Sequence, residues 1–199
     1  QEAVRCITGG FLDFLTEKNG KPVTELTIAV GHDSRISAPD LKRAVLSAIL
    51  SRGAKAIDCG LSSTPAMFMS ILFDETKADA SIMITASHLP YNRNGMKFFT
   101  ERGGLEASDI KKVLSYAAKN RVPASNEKKA ASFDLLSVYA SHLRKKICEE
   151  LSAAPEDKPL AGMHIVIDAG NGSGGFFASK VLALLGADTT GSRYLEPDG

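Results

Sequence analysis

Three apolar runs of strand length, spaced by segments of helical periodicity, constrain this chain more than any other feature. They are LTIAVGHD (residues 26–33), AKAIDCG (54–60) and ASIMITAS (80–87). Between the first two, APDLKRAVLSAILSRGA carries Leu41, Ala44, Val45, Ala48 and Ile49 at helical spacing, with Pro39 in the first turn and Gly53 as the stop. Between the second and third, TPAMFMSILFDE (64–75) predicts another helix that also opens with proline. Strand, helix, strand, helix, strand is the pattern of a parallel sheet covered by helices.

The flanking segments extend this plan. Val4, Ile7, Phe11 and Leu15 share one face of a helix at the start, GMKFFT (95–100) predicts a further strand, and helices are expected over 107–119 and 133–150, separated by the polar loop RVPASNEKKAAS. Leu136, Tyr139, Leu143 and Ile147 fall on one face of the last of these. SAAPEDKPLAG (152–162) has the proline, charge and small residues of a linker. Beyond it come a predicted strand, MHIVIDAG (163–170), a glycine-rich turn, GNGSGG, and a helix, FFASKVLALLGA. The expected fold class is therefore α/β, a three-layer helix-sheet-helix domain with a mostly parallel sheet over 1–151, a linker over 152–162, and the start of a second similar domain over 163–199. That last stretch is too short to bury a core of its own. With no initiator Met, no capping residue before the first helix and a turn-like EPDG at the end, the chain is expected to be a fragment.

Composition narrows the function. The 24 Lys+Arg against 23 Asp+Glu give a net charge of +1 with no basic block, which argues against nucleic acid and membrane surfaces and leaves a small molecule as the expected partner. The 3 cysteines, Cys6, Cys59 and Cys148, are far apart and form no CxxC pair, and the 4 histidines lack HExxH spacing, so neither a disulfide framework nor a zinc site is indicated. There is no signal-like N-terminus. An intracellular setting, the cytoplasm or an organelle such as a plastid, is expected rather than secretion.

In open parallel sheets ligands bind beyond the carboxyl ends of the strands, which brings GHDSR, GLSSTP and TASHLP to one end. There the string TASHLPYNRNGMKFF places Ser87 beside His88, and the two meet only if the strand has ended in a turn. Pro90 and YNRNG make that turn, and the Asn94-Gly95 dipeptide is a tight-turn signal that would bring Lys97 back toward the loop. Together with Arg35 and Arg93, this would collect positive groups around one hydroxyl, an arrangement that suits phosphate. Taken singly, each residue has a bland reading: Asn-Gly as a hairpin, Lys97 as a solvated strand residue, Asp33-Ser34-Arg35 as a capped turn, and Cys59 as a small buried side chain.

Taken as a string, TASHLPYNRNGMKFF resembles the phosphoserine loop of the α-D-phosphohexomutases, the phosphoglucomutase, phosphomannomutase and phosphoglucosamine mutase superfamily. VGHDSR, GLSSTPA and VIDAGNGSGG are similar to further segments of that family. The resemblance implies an intramolecular phosphotransferase that interconverts hexose 1-phosphate and hexose 6-phosphate through a phosphoserine and a hexose 1,6-bisphosphate. It implies Ser87 as phosphoryl carrier and as a metal ligand through its phosphate, His88 and Lys97 as acid and base, and Arg35 and Asn94 as substrate or phosphate contacts. It also implies Mg²⁺, whose D-G-D-x-D-R loop is not in this sequence, so the chain alone is expected to be inactive. Leu89 stands where the family usually has Asn, and His32 where it usually has Arg; these motivate a non-catalytic, sugar-phosphate-binding alternative. A second alternative comes from Gly170, Gly172 and Gly175, which fit GxGxxG before a helix, with Glu196 downstream, as in a dinucleotide-dependent oxidoreductase. A Ser-His hydrolase lacks the G-x-S-x-G elbow.

Overall fold

The computed structural model describes residues 1–90, 92–124 and 129–198. Tyr91 of the serine string, residues 125–128 of the polar loop and the glycine ending EPDG lie outside them. Three parallel strands form the centre, β1 (Thr27–His32), β2 (Lys55–Leu61) and β3 (Ala80–Ile84), with β1 in the middle. The strand β4 (Met96–Thr100) runs antiparallel to β3, a two-residue β5 (Gly103–Gly104) follows it, and β6 (Ala131–Ser132) pairs parallel with β2. The order across the sheet is β5-β4-β3-β1-β2-β6.

Alternation along the strands builds two cores. Ile28 and Val30 of β1 and Ile82 and Ile84 of β3 face α1 (Glu2–Asn19), α2 (Ala38–Ser51) and α4 (Ala107–Ala117), where Phe11, Leu15, Val45, Ile49 and Val113 meet them. Ala29 and Met83, one residue out of phase, face α3 (Thr64–Met69) and α5 (Leu135–Glu150), with Met67, Leu135 and Tyr139. This is the expected three-layer plan. The nearly unbroken apolar runs that signalled it follow from burial of both faces.

The helix α1 approaches α4 at Gly10. A Cβ built on Gly10 would stand 2.4 Å from the Val113 carbonyl oxygen and 2.7 Å from the Ala117 nitrogen, both backbone atoms that cannot swing aside. Overpacking of this kind costs about 1–3 kcal/mol, against about 1 kcal/mol gained from alanine's helix propensity. Gly10→Ala is therefore expected to lower stability by about 1 kcal/mol, read as a lower urea midpoint at unchanged denaturant slope.

Several elements differ from the sequence-based expectation, each for a local reason. The helix expected over 64–75 stops at Met69. The Ser70 hydroxyl donates to the Met67 carbonyl, 2.7 Å, and the Thr76 hydroxyl to the Ser70 and Phe73 carbonyls, so side chains take over helix acceptors and the chain turns, burying Phe73 and Ala78. The polar loop between α4 and α5 contributes β6, which is too short and too exposed to carry a hydrophobic signal. The strand expected over 163–170 appears as two isolated parallel bridges, His164 with Asp188 and Asp168 with Arg193. The helix after it changes pitch, 3-10 over Ser173–Gly175 and Ala183–Leu185 and π over Phe177–Leu182.

The C-terminal segment packs back on α5. Phe176 and Val181 join the cluster of Leu135, Leu136, Tyr139 and Ala140, the Lys180 ammonium donates to the Ser137 hydroxyl at 2.8 Å, and Arg144 donates to the Lys180 carbonyl. Leu160, inside the expected linker, is buried with Cys148 and Leu185, and its N–H donates to the Leu185 carbonyl at 2.9 Å. Through these contacts the glycine-rich turn comes to lie at the carboxyl end of the sheet.

Candidate active site

The loop from 85 to 95 leaves β3 and returns into β4. At its neck the Thr85 N–H donates to the Gly95 carbonyl, 3.0 Å, and the Asp33 N–H ties the end of β1 to the Ile84 carbonyl, 3.1 Å. Ser87 adopts a left-handed conformation, φ 54°, and its N–H donates to the Thr85 hydroxyl oxygen at 3.0 Å. For a non-glycine residue that conformation stores on the order of 1–3 kcal/mol and persists only where the surroundings impose it.

Arg35 imposes it. The Asp33 carboxylate accepts from the Arg35 backbone N–H at 3.2 Å and from Nε at 3.1 Å, which aims the guanidinium at the loop. There Nη1 donates to the Pro90 and Arg93 carbonyls, at 2.6 and 3.1 Å, and Nη2 to the Ser87 and Leu89 carbonyls, at 3.0 and 2.8 Å. An arginine side chain has five N–H bonds, and all are taken up by the protein. The guanidinium therefore holds the loop from behind, with no donor left over for a phosphate.

The other expected contacts distribute as follows. Asn94 donates through Nδ2 to the Ser37 hydroxyl at 2.9 Å and accepts the Gly95 N–H on Oδ1, anchoring the end of the loop to the start of α2. Neither Asn94 nor Gly95 has a positive φ, so the dipeptide is not the two-residue hairpin its sequence suggests. The turn is the whole loop. His88 is exposed in the turn beside Ser87, and Lys97, also exposed, stands opposite Met83 in the β3–β4 register and so on the same face of the sheet. Of the positive groups expected around the hydroxyl, Arg35 lines the same cleft as Ser87, while Arg93, His88 and Lys97 are not among its lining residues.

What converges instead is a cleft of about 330 Å³. One wall comes from the three strand ends: Ser34 and Arg35 after β1, Thr64 after β2, Thr85 and Ser87 after β3; the other is the turn of residues 170–173. The three motif segments thus meet as the sequence indicated. The turn does not follow from sequence, because nothing in the chain's periodicity says where the C-terminal segment docks. Its glycines have fold reasons of their own: Gly170 has φ 54°, and a Cβ on Gly175 would lie 2.0 Å from the Leu195 carbonyl oxygen. The Asn171 amide donates to the Glu196 carbonyl at 3.0 Å, so Glu196 helps brace this turn through its backbone. The dinucleotide reading loses its separate footing, since the turn faces Ser87.

The two departures from the family pattern leave this geometry intact. Leu89 gives the clamp its backbone carbonyl, which any residue supplies, while its side chain is 59% exposed; His32 donates through Nδ1 to the Asp33 carbonyl at 2.7 Å. Cys59 lies buried behind the site, where desolvation, with a smaller contribution from Asp58, pushes its thiol up to about 12. With Cys148 also buried, a thiol reagent added to the native protein is expected to titrate at most Cys6 quickly, and all 3 cysteines only after denaturation.

Among the described residues no group of three or more His, Cys, Asp or Glu side chains could hold a metal ion. Asp33, the carboxylate of the cleft, has both oxygens on Arg35. Unmodified, these residues do not make a magnesium site. No helix in the described residues is long and apolar enough to cross a membrane.

A mostly parallel sheet covered on both faces, with an arginine-clamped serine loop at its carboxyl end, defines the class: an α/β domain with a cleft beyond its strand ends. The family described as phosphoglucomutase/phosphomannomutase, alpha/beta/alpha domain I, matches residues 1–122. The chain belongs to the phosphoglucomutase/phosphomannomutase family. It is 33% identical over 198 residues to a phosphoglucosamine mutase of Pediococcus pentosaceus, covering 94% of this chain and 40% of that protein. A phosphoglucosamine mutase of Deinococcus deserti is 34% identical over 174 residues, with 86% and 37% covered. In fold, the chain is similar to a phosphoglucomutase/phosphomannomutase family protein from Burkholderia thailandensis, TM-score 0.76 at 20% identity, over 98% of this chain and 41% of that one. It is also similar to the Paramecium phosphoglucomutase parafusin in an open form, TM-score 0.69 at 16% identity, over 98% and 40%. The chain thus spans about two fifths of the relatives it matches.

Proposed function

We propose that Ser87 is the phosphoryl carrier of an intramolecular phosphotransferase that interconverts hexose 1-phosphate and hexose 6-phosphate. The observation that carries this is the loop itself: a strained serine, clamped through four carbonyls by one arginine, opening into a cleft at the sheet's carboxyl end. In the reaction a sugar hydroxyl attacks the phosphorus on Ser87, the bond to the serine oxygen breaks, and a hexose bisphosphate forms. After reorientation the other phosphate returns to the serine oxygen. Phosphoryl transfer of this kind depends on positioning and charge neutralisation more than on covalent chemistry by the protein, and a clamp that fixes the carrier supplies the positioning.

His88 and Lys97 are our candidates for moving the hydroxyl proton. His88 shares the turn with Ser87, and Lys97 stands opposite Met83, one of the residues that line the cleft. Arg35 and Asn94 are assigned to holding the loop. Mg²⁺ would be bound through the phosphate on Ser87 together with carboxylates that this sequence does not contain, and would neutralise charge on the transferring group. Residues 1–151 are proposed as the first domain and 163–199 as the opening of a second, joined by 152–162. Because the curated relatives are phosphoglucosamine mutases, glucosamine 6-phosphate is the first substrate to assay.

Peptide mapping by mass spectrometry on the natural full-length protein, charged with glucose 1,6-bisphosphate, is expected to find one phosphate, on the peptide containing Ser87. Mutase turnover by a protein whose Ser87 never carries phosphate would overturn the reading.

A further inference from the structure

The cleft holds three hydroxyls besides Ser87 that make no hydrogen bond among the described residues: Ser34, Thr64 and Ser173. They arrive from three separate places, the loop after β1, the first turn of α3 and the turn on the opposite wall. The charged groups of the cleft are not available in the same way. Arg35 has all its donors on the loop and on Asp33, and the Asp33 carboxylate is turned onto Arg35. A ligand entering beside Ser87 therefore meets neutral donors whose protons can rotate toward it.

Such a set suits a group with several acceptor oxygens and no donor. We propose that Ser34, Thr64 and Ser173 form a hydroxyl cradle for the oxygens of the phosphoryl group carried by Ser87. The proposal rests on the phosphoserine reading above and adds what recognises the phosphate. Two of the hydroxyls are fixed to the strand ends, but Ser173 is delivered by the C-terminal segment, whose position depends on Phe176 and Val181 seated against α5. The cradle closes only when that segment is docked, which makes phosphate retention a property of both parts of the chain.

The test uses the natural full-length protein charged with glucose 1,6-bisphosphate and compares Ser173→Ala, Thr64→Val and Ser34→Ala, singly and combined. Each lost hydrogen bond to a charged oxygen is expected to slow charging of Ser87 on the order of tenfold, measured by intact mass, and to move the ³¹P resonance of the phosphoserine. Ser173→Thr, which keeps a hydroxyl, restores both, and a purely structural effect of Ser173→Ala would not be restored in this way. Unchanged charging rate and unchanged ³¹P resonance in the combined variant would overturn the cradle while leaving phosphate on Ser87 intact. Absence of phosphate on Ser87 in the unsubstituted protein would instead overturn the phosphoserine reading, and the cradle with it.

Discussion

Ser87→Ala in the full-length protein is expected to abolish hexose phosphate turnover, a loss of at least about 10⁴-fold. Uncatalysed cleavage of phosphate monoesters is so slow that enzymes acting on them supply up to roughly 10²¹-fold acceleration, and the free cleft hydroxyls of Ser34, Thr64 and Ser173 lie on other elements than the clamped loop. Two further substitutions separate chemistry from folding. Ser87→Thr keeps a hydroxyl but puts a β-branched side chain at φ 54°, a conformation such residues scarcely adopt, so it too is expected to lose most turnover. Ser87→Gly relieves the strain and is expected to raise stability by about 1 kcal/mol while turnover disappears. A thermal unfolding midpoint that rises as activity falls would show that the loop is held in its strained form for function. An active Ser87→Ala variant would sink the carrier assignment.

The sequence was most readable where burial and periodicity coincide. Both faces of β1 and β3 are covered, so their residues are mostly apolar, and helix α2 ends at Ser51, just before Gly53 turns the chain with a left-handed φ of 83° as expected. The convergence of GHDSR, GLSSTP and TASHLP needed only the direction of parallel strands. What could not be read were features set by side-chain hydroxyls and by docking. Ser70 and Thr76 ended α3 early through hydrogen bonds that a hydrophobic pattern does not register. Asn94-Gly95 has the composition of a tight turn, yet the Arg35 clamp and the Asn94 bond to Ser37 decide the path of the loop, and both span more than fifty positions in sequence.

The same distance separates the sequence-based expectation for Arg35, a phosphate contact, from its place in the fold. An arginine near a serine at a sheet end suits an anion, and it is the folded loop that turns its donors onto backbone carbonyls.

That geometry makes Arg35→Met the second variant with a large expected effect. It leaves the carbonyls of Ser87, Leu89, Pro90 and Arg93 without their shared donor and the Asp33 carboxylate without its partner, although the arginine side chain is only 10% exposed. The loop carbonyls are exposed and can turn to water, so what is lost is the loop's position, and a reacting atom displaced by an ångström loses about 10²-fold in rate. A fall in kcat on the order of 10²-fold is expected. Arg35→Lys is expected to fare little better. A single ammonium offers three donors at one point, whereas the clamp needs a planar fork reaching four carbonyls and a carboxylate. Hydrogen exchange should show the amides of Leu89 and Arg93, which close turns inside the loop onto Ala86 and Pro90, losing protection in both variants while β1 and β3 keep theirs. Added guanidinium should partly restore turnover to Arg35→Ala, because the site that the side chain leaves is lined by acceptors in the geometry of its own head group. If Arg35→Met instead kept normal kcat with an ordered loop, the strained conformation of Ser87 would have to be maintained by the Thr85 hydroxyl and the neck of the loop alone.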